Sequence, residues 1–306
     1  MLDHKTILVT GGTGFIGRNI TEFFGENAII LAPSHAQLDL LSQESVNAFF
    51  RDHDIDFVIH CASVGGNRKC LDVTDVVGKN TRMFYNLVGN SRRFEKFIHF
   101  GSGAEYDKTV PLHQIKEEFF GMRIPTDDYG FSKYLISKYI ENAENIVCLR
   151  PFGVFGKYED YEYKFISNAI VKNLLGVPIH IRQNVYFDWV YIDDLMRILA
   201  SFLTKDSKYT LYNVTASNPT DLVTITNLII SLSTTHSDIC VENSGLNNEY
   251  SGDNSRLMSQ LGDFKFTPLP SAISELTKYY QSILTHIDSD VIRKDEYARR
   301  CVIQQG

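Results

Sequence analysis

The 306-residue chain has little of what would tie it to a bilayer, to nucleic acid or to a covalent scaffold. Its apolar runs are short, and none approaches the roughly 20 residues that a membrane-spanning helix needs. Its 30 lysines and arginines are outnumbered by 37 aspartates and glutamates, so the formal charge of -7 gives no general attraction to polyanions. Nucleic acid and anionic membrane are thereby disfavoured as partners, while a local basic pocket for a phosphate-bearing ligand stays compatible with the composition. The five cysteines, Cys61, Cys70, Cys148, Cys240 and Cys301, are odd in number and widely spaced, with no CxxC pair. That excludes the usual zinc-ribbon spacing and predicts reduced thiols. The opening "MLDHKTILVTGG" carries charge and runs straight into a strand, which predicts no signal peptide and a cytoplasmic protein. No internal repeat or low-complexity segment is evident.

What is present is an alternation of short β-branched runs with amphipathic helices. "KTILVT" reads as a strand, "GGTGFIG" as a glycine turn, and "RNITEFFGE" as a helix with Ile16, Ile20, Phe23 and Phe24 on one side. The pattern recurs in "AIILA" (28–32), a helix over 42–53 opened by Ser42, "DFVIHCA" (56–62), a helix around "VVGKNTRMFYNLVGNS", "KFIHFGS" (96–102), a helix carrying Tyr129, and "NIVCLRP" (145–151). "WVYIDDLMRILASFL" and "LYNVT" continue it. Near-continuously apolar strands between helices predict a doubly wound parallel sheet, an α/β Rossmann-type fold. The stretch "GVFGKYEDYEYKF" and the chain beyond Ser217, with short elements punctuated by Asn, Gly and Pro, read as a smaller interwoven unit. The expected division is 1–151 plus 188–215 for the dinucleotide-binding domain and 152–187 plus 216–306 for the substrate domain.

Gly11, Gly14 and Gly17 follow the first strand directly and open a helix. Glycines there let the backbone approach a pyrophosphate lying on the helix N-terminus. No acid stands at the tip of the second strand, where a fold selecting NAD places one for the ribose. Arg18, with Ser34 and His35, suits a ribose 2'-phosphate instead, which favours NADP(H) over NAD(H), with no metal. The full set read as cofactor-binding is Gly11, Thr13, Gly14, Phe15, Ile16, Gly17, Arg18, Ser34, Asp39, Leu40, Ala62, Ser63, Asn80, Tyr129, Lys133 and Pro151.

Ser102 in "HFGSGAEYD" ends what is read as the fifth strand, at the sheet edge where open α/β sheets bind ligands. Tyr129 and Lys133 in "DYGFSK" lie one helical turn apart on one face. A free phenol, with a pKa of about 10, is a poor acid or base at neutral pH, and a nearby ammonium or oxidised nicotinamide lowers it. Together the three residues form a device in which Tyr129 exchanges a proton with a sugar-type hydroxyl while a hydride moves, and Ser102 binds the same oxygen.

These residues resemble the extended short-chain dehydrogenase/reductase family of nucleotide-sugar epimerases, dehydratases and reductases. The resemblance extends through "VGKN" with Asn80, "FDWVYIDDL" and "SGDNSRLMSQLGDFKFTPL", so it covers most of the chain. The most similar branch is that of the GDP-fucose synthases, on "LDLLSQESVNAFF" and on "VGGN" after the fourth strand. Two departures narrow the chemistry. The Asp-Glu pair that dehydratases carry after the serine or threonine is Gly103-Ala104 here, and the cysteine and histidine of double epimerisation match Ala104 and Lys164. On the substrate side, the family's asparagine after the sixth strand is Gly153, and the arginine before D-W is Phe187. The set read as substrate-binding is Val64, Ser102, Gly103, Ala104, Lys164, Arg182 and Arg256, with Tyr158 as a further candidate.

The resemblance implies reduction of a 4-keto nucleotide-linked sugar. The alternatives are a C4 epimerase or dehydrogenase with tightly held NAD(H), and a non-catalytic dinucleotide sensor. It also implies a homodimer packed through the Tyr129 helix and its predecessor. His60 and Cys61 lack a further ligand at metal-binding spacing and read as core and cleft-lining residues. The tail "IRKDEYARRC" alternates charge and reads as a solvated terminal helix.

Overall fold

The computed structural model describes residues 2, 4–66, 69 and 72–303. In chain order the strands are β1 (Thr6–Thr10), β2 (Ile29–Leu31), β3 (Phe57–His60), β4 (Lys96–Phe100), β5 (Leu112–Ile115), β6 (Ile146–Pro151), β7 (Gly153–Phe155), β8 (Ile179–Asn184), β9 (Tyr186–Phe187), β10 (Trp189–Tyr191), β11 (Leu211–Val214), β12 (Thr220–Asp221), β13 (Ile239–Leu246) and β14 (Tyr250–Gly252). The helices are α1 (Phe15–Phe24), α2 (Gln43–Asp52), α3 (Val76–Val88), α4 (Asp128–Ile140), α5 (Phe165–Leu174), α6 (Ile192–Thr204), α7 (Leu222–Ser231), α8 (Ser255–Leu261), α9 (Leu269–Ile283), α10 (Ser289–Arg293) and α11 (Glu296–Arg299).

Six strands form one parallel sheet in the order β2-β1-β3-β4-β6-β11. Helices cover both faces, which is why Ile7, Leu8 and Val9 of β1 are all fully buried. Ile7 and Val9 join Ile20, Phe24, Leu199 and Phe202 on one side, and Leu8 joins Val46, Phe50, Phe84 and Phe97 on the other. The chain leaves β1 toward β2 on one flank and resumes at β3 on the other. A crevice therefore opens beyond the C-terminal ends of β1 and β3, where ligands of such sheets bind.

The strand numbering expected from sequence runs one too high. Ser102 is expected at the end of a fifth strand, whereas residues 38–40, between β2 and α2, are irregular and only four strands precede it. Leu38 and Leu40 are nevertheless buried, and the Asp39 carboxylate accepts the Leu41 N–H at 2.9 Å, which turns the chain into α2. Ser102 thus follows the fourth strand, and "VGGN" follows the third. Asn67 of that motif, like Cys70, lies outside the described residues. The other four cysteines are free thiols. In α1, Ile20 and Phe24 are buried as expected, but Phe23 is 43% exposed.

A smaller sheet has the order β12-β9-β14-β5. It draws in Leu112–Ile115, which the sequence division places with the large domain, because β5 pairs in parallel with β14. Strand pairs β7-β10 and β8-β13 complete the smaller part. The chain beyond Ser217 is more regular than its Asn, Gly and Pro content suggests, since it holds a 10-residue α7, an 8-residue β13 and a 15-residue α9. The tail is not a solvated helix. Two short helices, α10 and α11, bury Ile292, Tyr297 and Ala298, and Asp295 between them meets the buried Lys172 ammonium at 2.6 Å. Among the described residues no helix is long and apolar enough to cross a membrane.

Ahead of α5, Glu159 is buried and accepts a short hydrogen bond from the Ser167 hydroxyl. Burial pushes its carboxyl up to about 8, only partly offset by Ser167 and Lys164. The native state therefore holds a proton here that the unfolded chain releases above its ordinary value of 4.5. Stability from this group is lost as pH rises toward 8. Glu159→Gln is expected to flatten that slope and to gain on the order of 2 kcal/mol at pH 8, with little change at pH 4, in urea unfolding.

Candidate active site

The turn after β1 is shaped for close approach. A Cβ on Gly17 would stand 2.2 Å from the Gly11 carbonyl oxygen, and one on Gly11, whose φ is +70°, would stand 2.8 Å from the Ala62 nitrogen. Any side chain at either position would push the β1 turn off α1 or off the end of β3. Gly14 caps α1 without a side-chain hydrogen bond, and the first turn carries no acid. Uncapped N–H groups and the helix dipole thus face the crevice, a cradle that suits a dinucleotide pyrophosphate. Thr13 and Gly14 are exposed there, and Phe15 and Ile16 are half-buried.

Several residues read as cofactor contacts have other engagements. Arg18 lays its guanidinium 3.9 Å from the centre of the Tyr158 ring, and the Tyr158 hydroxyl donates to Glu22 at 3.0 Å. Ser34 turns both its N–H and its hydroxyl to Gln37 Oε1 at 2.9 Å. Leu40 is core, and its carbonyl accepts from Asn86 at 2.8 Å. Asn80 is a clamp. Its amide takes the Val64 N–H at 2.8 Å, returns a bond to the Val64 carbonyl at 3.0 Å, and donates to Ser132 Oγ at 2.9 Å. Ser132 in turn donates to the Tyr129 carbonyl at 2.7 Å, so the loop after β3 and the Tyr129 helix are tied together. Ala62 lies two residues beyond β3 and Pro151 ends β6, both at the C-terminal edge of the sheet, and Ser63 is exposed.

Ser102, Tyr129 and Lys133 converge at the end of β4. The Asp127 side chain caps α4 by accepting the Gly130 N–H at 2.9 Å, which places Tyr129 in the first turn. The Tyr129 hydroxyl lies beside Ser102, and burial pushes it up to about 12 against the lowering effect of that serine. Lys133, almost fully buried, donates to the Phe100 carbonyl at 2.7 Å, and its Nζ is 5.9 Å from the Tyr129 ring centre. Burial lowers its own pKa. In the protein alone desolvation dominates the phenol and Lys133 is not among the groups that lower it, so Tyr129 keeps its proton at neutral pH.

Beneath this group lies a buried ion pair that motif spacing did not reveal. Glu105 and Arg150 are both fully buried and joined by a short Nε–carboxylate bond. Glu105 also accepts the Ser102 N–H at 2.9 Å, while Ser102 Oγ accepts from Ala104 N at 3.1 Å. This reciprocal cap fixes the serine. His60 is buried, bonds Thr10 through Nδ1 at 2.7 Å, and is pushed down to about 3 by burial, so it is neutral. Burial raises the Cys61 thiol. No group of three or more metal-ligating side chains occurs among the described residues.

Two of the cations expected to bind substrate have other engagements. Arg182 pairs with Glu242 at 2.9 Å and lines a surface cavity of about 450 Å³ with Lys172, His180 and Arg299, a set without Ser102, Tyr129 or Lys133. Arg256 donates to the Leu211 carbonyl at 3.2 Å and stacks on Tyr209 at 4.6 Å. Lys164 is exposed at the N-terminus of α5. Around Gly103 and Ala104 the wall is aromatic instead. Tyr106, Phe152, Tyr250, Phe187 and Trp189 follow one another at centroid separations of 6.2, 5.0, 5.1 and 5.4 Å.

Residues 7–215 match the model of the NAD dependent epimerase/dehydratase family. The chain belongs to this family. A GDP-L-fucose synthase of Azorhizobium caulinodans is 28% identical over 183 residues, spanning 55% of this chain and 59% of that protein. A GDP-6-deoxy-D-talose 4-dehydrogenase of Aggregatibacter actinomycetemcomitans is 24% identical over 296 residues, spanning 89% and 97%. Among solved structures, a UDP-glucose 4-epimerase of Thermotoga maritima superposes with a TM-score of 0.78 at 20% identity, covering 92% of this chain and 100% of that one. The glycine turn after β1 and the Ser102 edge after β4 lie at the same C-terminal edge of the parallel sheet.

Proposed function

We propose that this family member is a cytoplasmic NADPH-dependent reductase of a 4-keto nucleotide-linked sugar. The observation that carries the reading is a half-buried, protonated Tyr129 hydroxyl beside Ser102 and one turn from buried Lys133, with Gly103-Ala104 following the serine in place of an acid-base pair. A nicotinamide bound at the cradle supplies the hydride. Tyr129 gives its proton to the oxygen that becomes the alcohol, and Ser102 donates a hydrogen bond to that oxygen. Lys133, held by the Phe100 carbonyl, is placed to bind ribose hydroxyls. The preference for NADPH is supported by "LAPSH" after β2, which offers no acid to a ribose, and by exposed Arg18 in the first turn of α1. A homodimer through α3 and α4 is supported by Tyr85 and Tyr139, which meet edge-to-face at 5.5 Å and are 46% and 44% exposed.

The 4-dehydrogenase among the relatives favours a second reading with the same atoms run in the oxidative direction. Purified protein given GDP-, UDP-, CDP- and dTDP-linked 4-keto sugars is expected to consume added NADPH in proportion to alcohol formed, and to melt higher with NADPH than with NADH. Conversion of a sugar nucleotide with no added cofactor would overturn the reductase and favour an epimerase or dehydrogenase with retained NAD(H).

A further inference from the structure

The C-terminal tail, α5 and the strand pair β8-β13 enclose a cavity of about 450 Å³ at the surface. Lys172 of α5 line it together with His180 and Arg182 of β8, and the tail adds Arg293, Lys294 and Arg299. The acids in the lining are Glu242 and Asp295, so five lysines and arginines stand against two carboxylates, in a chain whose formal charge is -7. Val177, Ile292 and Ala298, all buried, give the cavity an apolar part.

An excess of positive charge alone marks many surfaces. Here two of the cations also hold N–H groups that are shut off from water and unmet. The Lys172 side chain is 1% exposed, and Asp295 meets its ammonium at 2.6 Å as an ion pair. No acceptor among the described residues stands in hydrogen-bond geometry to that Nζ, which carries three donors. Arg182 spends Nη1 on Glu242 at 2.9 Å, and its buried Nε likewise lacks an acceptor. A buried donor left unmet carries the cost of its lost hydration, which an arriving acceptor relieves.

We infer that this cavity binds the phosphate group of a small molecule. At about pH 7 a phosphate monoester carries close to two negative charges and three acceptor oxygens, enough to meet Lys172, Arg182 and a tail arginine together. A carboxylate has one charge and two oxygens and leaves more of the excess unanswered. The volume falls within the roughly 300–1,000 Å³ of small-molecule pockets, which leaves room for the group that bears the phosphate. A sugar phosphate and a nucleotide both offer this chemistry. The lining includes neither the glycine turn nor Ser102, Tyr129 or Lys133, so the site is separate from the crevice and the inference stands apart from the reductase reading.

Equilibrium dialysis of the full chain at fixed ionic strength tests it, with glucose 1-phosphate, GMP and inorganic phosphate as probes. In Lys172→Met one binding site per chain is expected to weaken about tenfold or more, as for the loss of one charge-assisted hydrogen bond. The exposed pair Arg293→Gln with Arg299→Gln is expected to weaken the same site, and it carries the test if Lys172→Met does not fold. Tighter binding of glucose 1-phosphate than of GMP would support a sugar phosphate as the bearer, and the reverse a nucleotide. Stoichiometry and Kd unchanged in both variants for every probe would put the phosphate elsewhere on the chain and overturn the inference. Acetate binding as tightly as phosphate would overturn the assigned ligand class.

Discussion

Tyr129→Phe is expected to lower turnover about a thousandfold while leaving NADPH binding and the unfolding midpoint nearly unchanged. The ring and its contacts stay, and only the hydroxyl beside Ser102 is lost. Because burial holds that phenol at about 12, the acid form persists through neutral and mildly alkaline pH. An acid of raised pKa loses its competence only as pH climbs through the raised value, so kcat in the reductive direction is expected to stay flat from about pH 7 to 10, where a free phenol would already be titrating. A fall centred below about pH 9 would assign the proton to another group. Survival of activity in Tyr129→Phe would remove the tyrosine from the chemistry and leave a dinucleotide-binding protein without this mechanism.

Arg150→Met is expected to cost about 3–5 kcal/mol of stability, because it strands the Glu105 carboxylate in a fully buried site. The guanidinium is held on several sides, by Glu105, by the Phe120 ring 4.0 Å away and by the Tyr106 ring at 5.6 Å. Glu105 also accepts the Ser102 N–H, so the substitution is expected to loosen the serine and lower kcat as well. Replacing both partners, Glu105→Leu with Arg150→Met, is expected to restore much of the stability, since an apolar pair leaves no uncompensated charge. Urea midpoints and slopes of the two single variants and the double variant measure this. A double variant as unstable as the sum of its parts would show that the pair is not acting as a unit.

The sheet was legible because each strand is short, β-branched and bounded by turn residues, and the helix caps at Ser42 and Asp127 are local signals. Local signals failed where pairing is long-range. The tail reads as solvated by its charges, yet Asp295 finds the buried Lys172 and Tyr297 enters the core. Asn80 was visible as a motif residue. Its work as a clamp between the Val64 backbone and Ser132 was not, because backbone partners leave no pattern in side-chain identity.

The sequence by itself determined the parallel α/β architecture, the glycine turn after the first strand, and the Ser102, Tyr129 and Lys133 set, since all three depend on spacing within single strands, turns and helices. Only the tertiary structure decided the electrostatic state of that set. Burial, which no spacing encodes, raises the phenol and keeps it protonated. The same dependence on packing holds for Glu105 with Arg150, 45 residues apart, which the fold brings together in the interior.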